Sequence, residues 1–120
     1  MKDTKKVTTL YGISNCDTIK KAKKWLESNQ IDYQFHDYRK DGLDQQWLIN
    51  IEAKVGWESM LNKRGTTFRK LSEEQKDNID REAALALMLE LPAMIKRPIL
   101  HTQNSYFVGF SADNYSKVFA

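Results

Sequence analysis

Cys16 is the only cysteine in the 120-residue sequence, and its position could support thiol chemistry. An apolar run at residues 7–13 ends just before it, and a helical pattern begins near Asp17. At the start of a helix, unpaired backbone N–H groups and the positive end of the helix dipole favour the thiolate, which is the nucleophilic form. A cysteine can also serve as a small hydrophobic residue without chemistry. The local pattern therefore leaves two interpretations, a reactive thiolate and an inert packing residue.

The other side chains that could act as ligands or bases are two histidines, His36 and His101. Together with one cysteine they do not make up the four-ligand set of a structural zinc site, so we expect no bound metal. His36 falls on the polar side of a predicted strand, where a solvent-facing or locally hydrogen-bonded imidazole is favoured over a catalytic base. A single cysteine also excludes an internal disulfide, which indicates a reducing compartment.

Length and composition predict one ordinary folded domain over residues 1–120, with 41% hydrophobic and 29% charged residues. The net charge of +3 is mild and the lysines are spread over several segments, so direct binding of nucleic acid is not expected. The longest apolar run, residues 83–89, is far shorter than the roughly 20 residues that span a membrane, and no signal-peptide pattern opens the chain. We expect a cytoplasmic monomer that does not bind membranes.

The periodicity of apolar residues predicts strands and helices that alternate around Cys16. Strands are predicted at residues 7–13, from 31 to about 38, at 99–102 and at 106–108, with a turn at 103–105. Helices are predicted from about 17 to 29, over 47–55, from 72, from about 81 to 91, and after 111. Ser72 and Gln75 have the spacing of a capping box, and Gly56 suits a left-handed helix cap. The nearly apolar helix at 81–91 is expected to be enclosed in the core, and residues 62–67 are expected to form a polar loop.

This order of elements is that of an α/β, thioredoxin-like (glutaredoxin-like) mixed sheet with a helical insertion between the second and third strands. Within it, three segments resemble the arsenate reductase (ArsC) and Spx family, and in particular its small bacterial YffB-type members. The segments are residues 11–18, the stretch from Gly56 through Arg64 to residues 68–71, and residues 95–99.

The resemblance implies a redox thiol site. The catalytic residues that it implies are Cys16, Arg64 and Arg97, and the substrate-binding residues are Asn15, Thr18 and Pro98. Fixed guanidinium groups would suit a thiolate that attacks an anionic substrate, because they neutralise its charge and donate paired hydrogen bonds to its oxygen atoms. The alternative for either arginine is a surface side chain laid over apolar neighbours.

Pro98 is implied to be the cis-proline that such folds place opposite the thiol loop, whereas the alternative is a trans-proline that starts a strand. Asp17 adds a constraint, since its negative charge opposes thiolate formation and must be offset by a lysine or arginine.

Two positions depart from the family pattern. Phe110 stands where the resemblance implies a third oxyanion-binding arginine, and a phenyl ring cannot donate a hydrogen bond, so efficient arsenate reduction is not expected. Ile19 stands where Spx proteins carry the second cysteine of a Cys-x-x-Cys switch. The chain therefore lacks a second thiol of its own.

The function predicted is that of an ArsC-family thiol oxidoreductase with no bound cofactor. Glutathione as co-substrate, or a glutaredoxin-like partner, would supply the missing thiol. The alternative is an Spx-like transcription regulator that binds RNA polymerase. Gly56 matches a glycine that the resemblance associates with polymerase binding, although a helix cap explains this glycine equally well.

Overall fold

The computed structural model describes residues 8–14 and 16–120, which form two compact units. The sheet unit comprises the described residues up to Asp41 together with Arg97–Ala120, and the helical unit comprises Gly42–Lys96. The helical unit is thus the predicted insertion between the second and third strands. The prediction of one domain over residues 1–120 stays a prediction, and the strand start predicted at residue 7 lies outside the described residues.

The elements follow in the predicted order. The strands are β1 (Thr9–Gly12), β2 (Gln34–Asp37), β3 (Ile99–Thr102) and β4 (Ser105–Val108). The helices are α1 (Asp17–Ser28), α2 (Gln45–Val55), α3 (Trp57–Met60), α4 (Thr66–Arg69), α5 (Glu73–Asp77), α6 (Arg81–Glu90) and α7 (Ala112–Val118), with a one-turn 3₁₀ helix at Pro92–Met94. In the part of the chain that the structure describes, no helix has the length and apolar character needed to cross a membrane.

The sheet unit contains a four-stranded mixed sheet in the order β2-β1-β3-β4. β1 and β2 run parallel, with Gly12 beside Asp37, and α1 makes the crossover that parallel neighbours require. β3 runs antiparallel to both β1 and β4. This arrangement confirms the predicted thioredoxin-like fold.

One face of this sheet is covered by α1 and α7. Leu10 and Leu100 are register partners, so their side chains share a face. The cluster that they form has five buried members, Leu10, Ala22, Leu26, Leu100 and Tyr115. Ser111 caps α7 as predicted, accepting a hydrogen bond from Asn114 N–H at 3.1 Å. The packing holds α1, and therefore its N-terminus, against the sheet.

Two boundaries in the sheet unit differ from the prediction. β2 begins at Gln34 rather than residue 31, because α1 ends in a Schellman-type cap: Gln30 has φ 60° and Ile31 N–H donates to Leu26 carbonyl at 2.9 Å. The β3–β4 turn has two residues rather than three. Gln103 and Asn104 both have positive φ, 56° and 62°, as a type I′ hairpin turn requires.

The helical unit is built on capped helices around apolar side chains. The buried residues are Leu48, Ile51, Met60, Leu61, Ala84, Met88, Met94 and Ile95. Asp44 caps α2 by accepting from Trp47 N–H at 2.7 Å, and Asp80 caps α6 by accepting from Ala83 N–H at 2.8 Å. The predicted capping box is confirmed, with Ser72 and Gln75 each accepting from the backbone N–H of the other.

Three expectations for the helical unit need correction. Residues 62–67 are not a loop throughout, since α4 begins at Thr66. α6 is not enclosed on all sides, because only Ala84 and Met88 are buried while Ala86 is exposed. Gly56 has the expected positive φ of 85°, but its ψ of 141° lies outside the left-handed helical region, so the chain enters α3 directly instead of forming a left-handed cap.

The close approach of α1 to β1 generates a prediction about Gly12. A Cβ atom at this position would overlap the Ile19 side chain, which is itself fully buried in the first turn of α1. Gly12→Ala is therefore expected to lower the free energy of unfolding by about 1–3 kcal/mol, the usual effect of overpacking. Urea unfolding measures this loss.

Ile19→Val provides the matched control, because it removes the Cδ1 methyl that the new Cβ would meet. Alone it should cost about 0.5–1.5 kcal/mol. The double variant should lose less stability than the sum of the two single losses. Strict additivity would contradict the close contact.

Candidate thiol site

Cys16 occupies the N-cap position of α1, with an extended backbone at φ −137° and ψ 130°. Its carbonyl accepts from Lys20 N–H at 3.0 Å, and its thiol is half-buried. The thiol does not reach full capping geometry with any described residue. The N–H groups of Thr18 and Ile19 are nevertheless directed at the sulfur closely enough to stabilise negative charge. The predicted placement of the cysteine at the helix entrance is confirmed.

The surroundings lower the pKa of the Cys16 thiol below its ordinary value. Partial burial is the largest single influence and raises the pKa, because desolvation disfavours the charged form. Burial is outweighed by the Ile19 N–H, by the hydrogen bond and Coulombic attraction of the Arg97 guanidinium, and by the Thr18 N–H. Arg97 thus supplies the positive charge that the neighbouring Asp17 makes necessary. The site favours a nucleophilic thiolate.

Arg97 reaches the thiol because β3 pairs with β1, with Ile99 beside Tyr11. The Arg97–Pro98 peptide bond is cis, which settles the alternative of a trans-proline. Pro98 is buried, and its carbonyl accepts from Gly109 N–H at 2.8 Å. The structure therefore brings Cys16, Thr18, Arg97 and Pro98 into the sheet unit around the start of α1 and β3.

Two predicted site residues, Arg64 and Asn15, lie outside the described part of the sheet unit. Arg64 belongs to the helical unit, where it is exposed. Its N–H donates to Asn62 Oδ1 at 3.2 Å and its carbonyl accepts from Arg69 Nη2 at 3.0 Å. Asn15 lies outside the described residues. A role for Arg64 or Asn15 beside Cys16 stays a prediction.

The two positions that depart from the family pattern both pack in the sheet unit. The Phe110 ring contacts Tyr115 edge-on, with centroids 4.8 Å apart. Ile19 is fully buried beneath Gly12. Both positions therefore serve packing. His36 is half-buried, and its ring lies beside that of Tyr11 with centroids 5.2 Å apart.

One buried polar residue near the thiol loop was missed by the sequence analysis. Asp37 ends β2, is 4% exposed and accepts a hydrogen bond from Ser14 N–H. A signal existed, because a carboxylate near the end of a predicted half-buried strand needs hydrogen-bond donors wherever it is buried. The pairing with Ser14 was not visible, because it joins two loops that are distant in sequence.

The sheet order and a cysteine at the N-terminus of the first helix define a thioredoxin-like protein with a thiol site and an inserted helical unit. The family can be stated more narrowly. The chain belongs to the ArsC family, whose sequence profile matches residues 11–118.

Similar proteins agree with this assignment. The solved structure of a protein named YFFB (PA3664) has a TM-score of 0.90 and 46% identity, covering 95% of this chain and 100% of its own. A Haemophilus influenzae protein, itself uncharacterised, is 46% identical over 112 residues, which is 93% of this chain and 98% of that protein. The global transcriptional regulator Spx of Enterococcus faecalis is 29% identical over 107 residues, 88% of this chain and 80% of its own. The resemblance to the ArsC and Spx family, including its YffB type, is confirmed.

The charge of Arg97 generates a prediction about the reactivity of Cys16. Arg97→Met removes a hydrogen bond and a positive charge from the thiolate, so the apparent pKa of Cys16 should rise and alkylation at neutral pH should slow several-fold. The rate of iodoacetamide modification as a function of pH measures the change without interference, because the chain has no other cysteine.

Arg39→Met is the control, since Arg39 is an exposed arginine of the same unit and the substitution makes the same change in net charge. It should leave the alkylation profile of Cys16 nearly unchanged. Equal effects of the two substitutions would show that Arg97 acts only through net charge.

Proposed function

We propose that the protein is a glutathione-dependent thiol oxidoreductase with Cys16 as its nucleophile. The observation that carries the proposal is the Cys16 thiol at the N-terminus of α1 with the Arg97 guanidinium hydrogen-bonded to it. This combination lowers the pKa of the thiol and places a cation where an anionic substrate would approach.

The reaction has two thiol–disulfide exchanges. The Cys16 thiolate attacks the glutathione sulfur of a mixed disulfide, forms a Cys16–glutathione disulfide and releases the other thiol as thiolate, which takes a proton from water. A second glutathione thiolate then attacks the glutathione sulfur bound to Cys16. Oxidised glutathione leaves and the Cys16 thiolate is restored. In net, one free glutathione is consumed: the disulfide bond of the substrate breaks to release its thiol, and a disulfide bond forms between the two glutathione sulfurs.

Glutathione suits this site because the chain needs an external thiol and offers cationic groups for carboxylates. Ile19 fills the position of a second cysteine, so Cys16 cannot be resolved within the chain. In this proposal Arg97 binds the anionic part of the substrate beside Cys16. The family resemblance implies that Arg64, Asn15, Thr18 and Pro98 also contribute to the reaction, and these roles stay predictions. A glutaredoxin-like protein could replace the second glutathione.

Arsenate is a poor substrate in this proposal. Phe110 stands at the position of a third oxyanion-binding arginine, and its ring is engaged with Tyr115 in the sheet unit. The missing arginine removes one charge-assisted contact, worth about 1.5–3 kcal/mol.

Incubation with oxidised glutathione followed by intact-mass measurement tests the proposal. We expect one glutathione adduct per chain, absent in Cys16→Ser and removed by added glutathione. Arg97→Met should form the adduct more slowly, since its thiolate is less stabilised. No adduct under conditions that glutathionylate a free model thiol would contradict the proposal.

A second candidate function, transcription regulation through RNA polymerase, is favoured by the likeness to the E. faecalis Spx regulator. Gly56 does not decide it, because a φ of 85° with a ψ of 141° demands glycine for backbone reasons alone. A pull-down of RNA polymerase by the protein tests this candidate, with Cys16→Ser as the comparison. Polymerase enrichment by both forms would favour a regulator that needs no thiol, and no enrichment by either would eliminate this candidate.

A further inference from the structure

Asp37 lies at the point where β1 ends and the loop to Cys16 begins. Asp37 is the register partner of Gly12, and Tyr38 N–H makes the final ladder bond to Gly12 carbonyl at 2.9 Å. Beyond Gly12 the chain leaves the sheet. Ser14 N–H then donates to Asp37 Oδ2 at 3.1 Å. A side-chain oxygen thus takes the place of the backbone carbonyl that a paired strand would offer.

The second carboxylate oxygen of Asp37 holds a different loop. Its Oδ1 accepts from Arg39 N–H at 2.8 Å and from Lys40 N–H at 3.3 Å. The same turn is closed by Asp41, whose N–H donates to Asp37 carbonyl at 2.8 Å and whose Oδ2 accepts from Asp37 N–H at 3.0 Å. One buried carboxylate therefore ties the thiol loop to the turn after β2.

These donors keep the carboxylate ionised. Burial is the largest single influence on the Asp37 pKa and raises it, but hydrogen bonds from the Arg39, Ser14 and Lys40 backbone and from the Ser14 side chain outweigh it and lower the pKa. Because the carboxylate accepts from the Ser14, Arg39 and Lys40 N–H groups, replacing Asp37 would leave these partly buried donors without their acceptor.

The influence of Asp37 on Cys16 is geometric. Ser14 precedes the cysteine by two positions, and the sulfur must lie within reach of the Thr18 and Ile19 N–H groups and the Arg97 guanidinium at once. Among the described groups that set the thiol pKa, Asp37 has no direct part. A shift of the loop would break several of the sulfur's contacts together, and such displacements are costly in rate.

We infer that Asp37 is a positioning residue, which anchors the β1–α1 loop through Ser14 and thereby holds the Cys16 sulfur against the start of α1 and Arg97. The inference rests on the proposed function only in taking Cys16 as the reacting group. It would hold for any electrophile that the thiolate attacks.

Asp37→Asn tests the inference by the direction in which the Cys16 pKa moves. The variant keeps the size of the side chain but replaces one acceptor oxygen with a donor. Loss of position predicts a higher apparent pKa of Cys16 and roughly tenfold slower alkylation at neutral pH. Simple removal of a nearby negative charge predicts the opposite, a lower pKa and faster alkylation.

Asp32→Asn is the matched control, because Asp32 is an exposed carboxylate of the same unit and the charge change is identical. Asp17, which follows Cys16 in the sequence, and Arg97, which interacts with the thiol, are unchanged in both variants. An unchanged or lowered Cys16 pKa in folded Asp37→Asn would overturn the inference.

Asp37→Glu keeps the inference testable if the asparagine variant does not fold. It retains the charge and both oxygens but moves them by one methylene, so an intermediate rise in the Cys16 pKa is expected and no rise would overturn the positioning role. Alkylation does not involve glutathione. Failure of the glutathione adduct in the wild-type chain would therefore count against the proposed function, while the alkylation profiles still decide the role of Asp37.

Discussion

The thiol site depends on the close contact between the first turn of α1 and the end of β1. Gly12 permits this contact, because a side chain there would overlap Ile19. The contact brings the N-terminus of α1 to the end of the sheet at which β3 begins. The Arg97 guanidinium can therefore interact with the Cys16 thiol.

The balance of charge around Cys16 explains why the pKa of the thiol is lowered although the residue is half-buried. Burial alone would raise the thiol pKa, because desolvation disfavours the thiolate. Two backbone N–H groups and one guanidinium reverse the outcome. The carboxylate of Asp37, which is also buried, keeps its charge by accepting backbone hydrogen bonds from Ser14 and Arg39.

Local patterns in the sequence predict those parts of the structure that local forces determine. The helix start at Cys16, the capping box at Ser72 and the cap at Ser111 are correct. The caps at Ser72 and Ser111 are set by side chains within one turn, and the start of α1 is set by the apolar periodicity that begins there. β2 begins three residues later than predicted. Gln30 adopts a left-handed conformation and Ile31 N–H caps the end of α1, and the apolar periodicity of the sequence shows neither feature. Arg97 and Pro98 were found only through the family resemblance. Asp37 was missed because its partner Ser14 lies on a neighbouring parallel strand's loop, 23 positions away.

The central claim is that the folded chain holds Cys16 as a stabilised thiolate. A pH titration of the ultraviolet thiolate absorbance, taken as the difference between the wild-type chain and Cys16→Ser, measures this directly. The account predicts a midpoint clearly below about 8.5, the value for an unperturbed cysteine. A midpoint at or above that value would contradict it.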